Sequence, residues 1–187
     1  MANIRVHELA KQINKDTKEI LVNIDEKGNK VVVIPFIQFE GRRNIDWKSV
    51  ESELRSYVGT LIEMTDSKDI VYIGNDFPDE FTNSIYTKNL KGGVAKAKAN
   101  MIGGIEKIVE IAVDKRWSQN FKDKHKKNAQ KGWYRYNTRF ALPQMNDYGK
   151  MTGINIYRAV IIVRHASDNK MYLYDIQNIK KETSKPL

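Results

Sequence analysis

Gly132-Trp-Tyr-Arg-Tyr-Asn-Thr-Arg-Phe-Ala-Leu142 sets the reading of this chain. In an extended strand, residues two apart share a face. Tyr134, Tyr136, Thr138, Phe140 and Leu142 then make one face, suited to a core. Trp133, Arg135, Asn137 and Arg139 make the other. Two arginines on one sheet surface suit an anion, because a guanidinium forks onto phosphate oxygens. They also fit plain surface charge.

Toward the C-terminus, residues 154–165 and 170–180 are rich in Val, Ile and Tyr and read as two more strands. The connections at 143–153 and 166–169 carry Pro, Asn, Asp and Gly. Adjacent strands with short connections predict an antiparallel meander. In the second strand, Tyr157, Ala159, Ile161, Val163 and His165 share one face, and Arg158 and Arg164 lie on the other. The tail at 182–187 is expected to fray.

Toward the N-terminus the pattern turns helical. Ile4, Leu9, Ile13, Ile20 and Leu21 predict an amphipathic helix over 4–22. A turn at 25–29 leads into a strand over 30–39, which Pro35 makes an edge strand or breaks. A helix over 45–57 has Asn44 as its cap and Gly59 at its end. Residues 69–74 predict a short strand, 79–89 a short helix, and 92–112 a helix interrupted at Gly103-Gly104. The expectation is an α+β fold, with N-terminal helices packed on an antiparallel β-meander sheet. Residues 1–24 form a helical appendage and residues 25–184 a single domain.

Composition narrows the function classes. Hydrophobic residues make up 41% and charged residues 29%, the balance of a globular chain. No apolar run approaches the roughly 20 residues that span a bilayer, and the first residues lack a signal-peptide pattern. There are no cysteines, which excludes disulfides and thiolate metal sites and fits a reducing cytoplasm. His7, His125 and His165 are far apart in sequence, so no metal site is expected, and no cofactor. Neither a GxxxxGK[ST] phosphate loop nor a GxSxG elbow is present.

Charge points to a partner. Of 32 Lys and Arg and 23 Asp and Glu, residues 91–187 hold 20 and 8, leaving 12 and 15 for residues 1–90. Such asymmetry suggests a polyanion-binding face in the second half. The segment 115–139 concentrates it, with Asp123 as its one acid. Lys122, Lys124, Lys126, Lys127 and Lys131 lie among Trp117, Phe121 and Trp133. Cations interleaved with flat rings suit single-stranded nucleic acid. The same pattern also describes core rings beside solvated lysines. Neighbouring cations should hold His125 neutral near pH 7, as a general base requires, though the spacing fits an exposed histidine in a basic helix equally.

The run Lys124-His-Lys-Lys-Asn-Ala-Gln-Lys-Gly-Trp-Tyr-Arg-Tyr-Asn-Thr-Arg-Phe-Ala-Leu-Pro143 resembles a signature of domains encoded by phages and other mobile elements of Firmicutes. Arg164-His165, Lys170-Met-Tyr-Leu-Tyr-Asp-Ile176 and Ile179-Lys-Lys-Glu-Thr-Ser184 resemble it too, as do Tyr86-Thr-Lys-Asn-Leu-Lys91 and Ala95-Lys-Ala-Lys-Ala-Asn100. Such domains occur in phage minor-head and polyvalent proteins. They are similar to the barnase–EndoU–colicin–RelE group of metal-independent ribonucleases, in which helices precede a curved antiparallel sheet.

The resemblance implies a metal-independent endoribonuclease in a bacterial cytoplasm, acting on RNA by general acid–base chemistry. His125 would be the base. His165 or a tyrosine would be the acid, and Arg135 and Arg139 would stabilise charge on the phosphorane. The alternative is a non-catalytic module that binds host nucleic acid or a nucleoprotein defence complex. A third reading is an accessory to a phage head protein.

Overall fold

Three long strands carry the sheet in the computed structural model, which describes residues 19–41 and 43–186. They are β6 (Trp133–Met145), β7 (Met151–His165) and β8 (Met171–Pro186). Both pairings are antiparallel, with Tyr136 opposite Ile161 and Ile161 opposite Ile176. The alternation read from the sequence decides which way β6 faces. Tyr136, Phe140 and Leu142 are buried in the main core, and Thr138 donates from Oγ1 to the Ile108 carbonyl at 2.8 Å.

The expected architecture, N-terminal helices on an antiparallel meander, is corrected: the sheet is larger and mixed. Two hairpins extend it, one on each side. The first joins β1 (Leu21–Ile24) to β2 (Lys30–Val33). The second joins β3 (Leu61–Glu63) to β4 (Ile70–Tyr72). Both dock by parallel pairing, β2 on β6 (Val32 opposite Phe140) and β4 on β8 (Val71 opposite Met171). The strand order is β1-β2-β6-β7-β8-β4-β3. An eighth strand, β5 (Val113–Ser118), lies antiparallel on the first half of β6. The edges of β6 and β8 supply backbone partners, and docking there brings Val32 and Val71 into the main core and Val31 and Val33 against Ala141, Ile154 and Ile156.

The helices are therefore inserted between strands rather than leading them. They are α1 (Trp47–Arg55), α2 (Phe77–Asn83), α3 (Ile85–Lys88), α4 (Gly92–Asn100) and α5 (Ile105–Glu110). Asp46, rather than Asn44, caps α1, accepting from the Ser49 amide at 3.3 Å. Ser84 divides the expected helix over 79–89 and caps α3. The Gly103-Gly104 break is a 3-10 turn. A Cβ on Gly104 would lie 2.9 Å from Ile34 Cγ1, so glycine lets this turn press against the chain leaving β2.

Other expectations shift as well. Leu21 and Val22 are in β1, so the proposed appendage 1–24 ends inside the sheet. The rest of the expected helix over 4–22, from residue 4 to residue 18, lies outside the described residues. Of the two alternatives at Pro35 the break holds, since β2 ends at Val33, and the edge strand does not, since β2 lies between β1 and β6. The tail expected to fray is paired: Lys185 lies opposite Ile154 and Pro186 opposite Gly153.

One buried polar group ties helices to sheet. Lys98 of α4 and Asp175 of β8 are both fully buried and pair at 2.6 Å. Lys98 Nζ also donates to Thr87 Oγ1 at 2.7 Å and lies 4.4 Å from the centre of the Phe81 ring. Burial pushes the Lys98 ammonium below its usual range, and Asp175 opposes that shift. Lys98→Met leaves Asp175 buried without its cation and is expected to lower unfolding free energy in urea by about 3–5 kcal/mol. Adding Asp175→Leu should restore part of that loss; a double variant no more stable than the single one would contradict this role.

Candidate nucleic-acid interface

The connection from β5 to β6 builds the site. Residues Asp123–His125 form a 3-10 turn. The His125 carbonyl then accepts from the Ala129 amide at 2.9 Å, folding the basic loop back toward β6. Ala129 is buried with Trp133 and Ile162 on the sheet face opposite the main core. At Gly132, φ is +92°, and a Cβ would meet the Ser118 carbonyl oxygen at 2.6 Å; only glycine lets the loop re-enter the sheet there.

Three rings meet at this point. His125 lies edge-on to Trp133, with centroids 5.1 Å apart, and to Tyr174 at 5.5 Å. Trp133 and Tyr174 are 4.9 Å apart at 74°. Edge-to-face contacts of this kind suit the ring quadrupoles and fix the cluster. Trp133 Nε1 donates to Asn120 Oδ1 at 3.3 Å, and Arg135 Nη1 donates to Ser118 Oγ at 2.7 Å.

The rings floor a cavity of about 1120 Å³. One wall is the loop, with Phe121, Lys122 and Lys124; the other is α2 and α3, with Asp79, Glu80 and Tyr86. Phe121 is 84% exposed, so its ring face is open to a ligand. Burial and the Glu80 carboxylate together push the Tyr174 hydroxyl well above its usual range, so it stays protonated. His125 is held below its ordinary 6.5, first by burial and then by Lys124, with Glu80 opposing.

The structure brings together some of the sequence candidates and separates others. His125, Arg135, Trp133, Lys122 and Lys124 line the cavity. Lys126 pairs instead with Asp123 at 2.6 Å. Lys127 is exposed and outside the lining. Lys131 Nζ donates to Asn169 Oδ1 at 2.9 Å, also outside it. Arg139 is on the same face as Arg135 but four residues along, roughly 13 Å away at strand rise. It pairs with Glu182 at 3.0 Å and lines different grooves. His165 lies on the opposite face of β7, against Tyr134 and within 3.0 Å of Asn169 Oδ1. Of the four residues expected to act together, only His125 and Arg135 share a cavity.

Tyr174 and Glu80 are the residues the sequence reading missed. Tyr174 stands in a strand whose face could not be fixed, because the register between β7 and β8 shifts three times. Glu80 comes from a helix 45 positions before His125, and no local motif links them. Among the described residues, no three His, Cys, Asp or Glu side chains gather as a metal site, and no helix is long and apolar enough to cross a membrane.

The depressed His125 value gives a sign for pH. A group whose folded pKa lies below its unfolded one contributes stability above about pH 6.5. That contribution is lost as the pH falls through the folded value. Proton NMR of the imidazole should give a midpoint below 6.5, moving upward in Lys124→Gln; a midpoint above 6.5 would overturn the assigned environment. Set against family models, curated proteins and solved structures, the chain matches none.

Proposed function

We propose that this chain is a binding module for single-stranded nucleic acid, RNA in the first instance, seating a nucleotide in the His125–Trp133–Arg135 cavity. The observation that carries this reading is the meeting of an open aromatic face, Phe121, with Lys122, Lys124 and Arg135 around one concave site. A base stacks on the ring and the cations meet its phosphates, an arrangement tolerant of sequence. The Asp79 and Glu80 carboxylates on the helical wall can accept hydrogen bonds from exocyclic amines of a base. The resemblance to phage and mobile-element domains supports a target met in a bacterial cytoplasm, as naked nucleic acid or as part of a nucleoprotein.

One observation favours a second reading, the metal-independent endoribonuclease. His125 has its pKa held below the ordinary value by burial and Lys124, and Arg135 and the protonated Tyr174 hydroxyl line the same cavity. His125 would take the 2′-hydroxyl proton and Tyr174 would protonate the leaving oxygen. The 2′-oxygen bonds to phosphorus as the bond to the 5′-oxygen breaks, leaving a 2′,3′-cyclic phosphate.

Fluorescence anisotropy with labelled single-stranded RNA separates the two. Binding should weaken steeply with salt, and Phe121→Ala should weaken it by about 1–3 kcal/mol through lost stacking. RNA left intact in EDTA by protein that binds it supports the module. Cleavage that survives EDTA, leaves a cyclic phosphate and disappears in His125→Ala supports the enzyme. No salt-sensitive binding to any single strand would sink both.

A further inference from the structure

The open face of the sheet carries a second basic feature, distinct from the cavity. Arg139 of β6 stands opposite Arg158 of β7, and Arg158 stands opposite Lys180 of β8. Three cations thus form one row across three neighbouring strands. Like charges directly opposite on a sheet destabilise it. Glu182 answers Arg139 at 3.0 Å, but among the described residues no carboxylate forms an ion pair with Arg158 or Lys180.

The row is also the shared wall of two concavities, of about 530 and 720 Å³. The larger reaches back along β6 to Asn137 and along β7 to Val160, toward the cavity end of the same face, where Arg135 and Ile162 line the nucleotide cavity. The smaller continues past the row to Lys181 and Lys185. Several acids share this end, Asp66 among them in the larger concavity, and the others are engaged locally. Asp25 is occupied by its own turn, accepting from the Lys27 and Asn29 amides, and Glu26 pairs with Lys185 at 3.0 Å. Asp114 accepts from Asn137 Nδ2 at 2.8 Å.

We propose that the Arg139–Arg158–Lys180 row is a second phosphate site. The ligand is then a single strand of several nucleotides, laid along β6 from the His125 cavity to this row. This rests on the nucleic-acid reading of the cavity. Arg135 and Arg139, roughly 13 Å apart, are too far apart to clamp one phosphate and are placed for two phosphates of one strand. Arg158 and Lys180 lie beside Arg139 and hold the second.

The test is a length series of single-stranded oligonucleotides, as RNA and as DNA, from two to eight nucleotides. Binding is measured by anisotropy to the full chain and to an Arg158→Gln/Lys180→Gln double variant. The natural chain should bind the octanucleotide at least tenfold tighter than the dinucleotide. The double variant should lose most of that gain, keep its dinucleotide affinity, and show a salt slope shallower by about 1.4, two phosphate contacts at about 0.7 each. Its urea midpoint should be unchanged or higher, because like-charge crowding is relieved; that readout separates a lost contact from a damaged fold. Equal affinity for the two lengths, or a double variant with full octanucleotide affinity and slope, overturns the second site while leaving the cavity reading intact. No binding of either length removes the cavity reading as well.

Discussion

The buried pair of Lys98 and Asp175 is the constraint on which the rest of the structure depends. Placing two charges at zero exposure costs several kcal/mol per ion, and attraction offsets it only with good geometry and further hydrogen bonds. Both conditions are met. Lys98 has Asp175, Thr87 and the faces of Phe81 and Tyr86 around it. Asp175 also accepts from the Ile176 amide at 2.7 Å and from Gln177 Nε2 at 2.8 Å. These contacts join α4, the α2–α3 corner and β8. Tyr86, Tyr174 and Gln177, drawn from the same neighbourhood, line the cavity. The wall and floor of the candidate site are thus held at a fixed separation by a pair of charges beneath them.

The two hairpins finish the same task at the sheet edges. An open meander would expose unpaired amides and carbonyls along β6 and β8. β2 and β4 cover part of each edge and present apolar side chains to the core. What remains outermost is short: β1 has four residues and β3 has three. Asn100 at the end of α4 accepts from the Gln38 and Phe39 amides at 2.7 and 2.8 Å, pinning the chain after β2.

Period-two alternation made the faces of β6 legible, because each position tests the next. The α4–α5 interruption was legible because the diglycine is a local signal. Parallel docking of β2 and β4 was not, since it leaves no turn between the paired strands for a sequence to display. β5 was hidden for another reason: Asp114-Lys-Arg-Trp117 is exposed and polar, so it has no buried face to reveal. At the site, the basic loop and the Trp133–Arg135 face were readable as composition. The separation of Arg135 from Arg139 also followed from strand rise alone, and it argues against one phosphate between them. The Arg139–Arg158–Lys180 row needed register, which alternation within a single strand does not contain. Lys98 gave no sign, standing in Ala95-Lys-Ala-Lys-Ala99 beside Lys96, which reads as a solvated helix face.

β6 has an asymmetry with a mechanical consequence. Along one edge it is paired with β7 from Trp133 to Met145. Along the other it has β5 up to Asn137 and β2 from Phe140, with neither partner at Thr138 and Arg139. That edge is a seam between two separate zippers. The β5 zipper is short, carries a register irregularity and ends in the exposed basic loop, so it belongs to the low-stability end of the molecule's local opening reactions. The β2 zipper is anchored in buried valines and opens only with the core. One end of the face therefore has the compliance to mould itself around a guest, while the other keeps the rigidity of a rail.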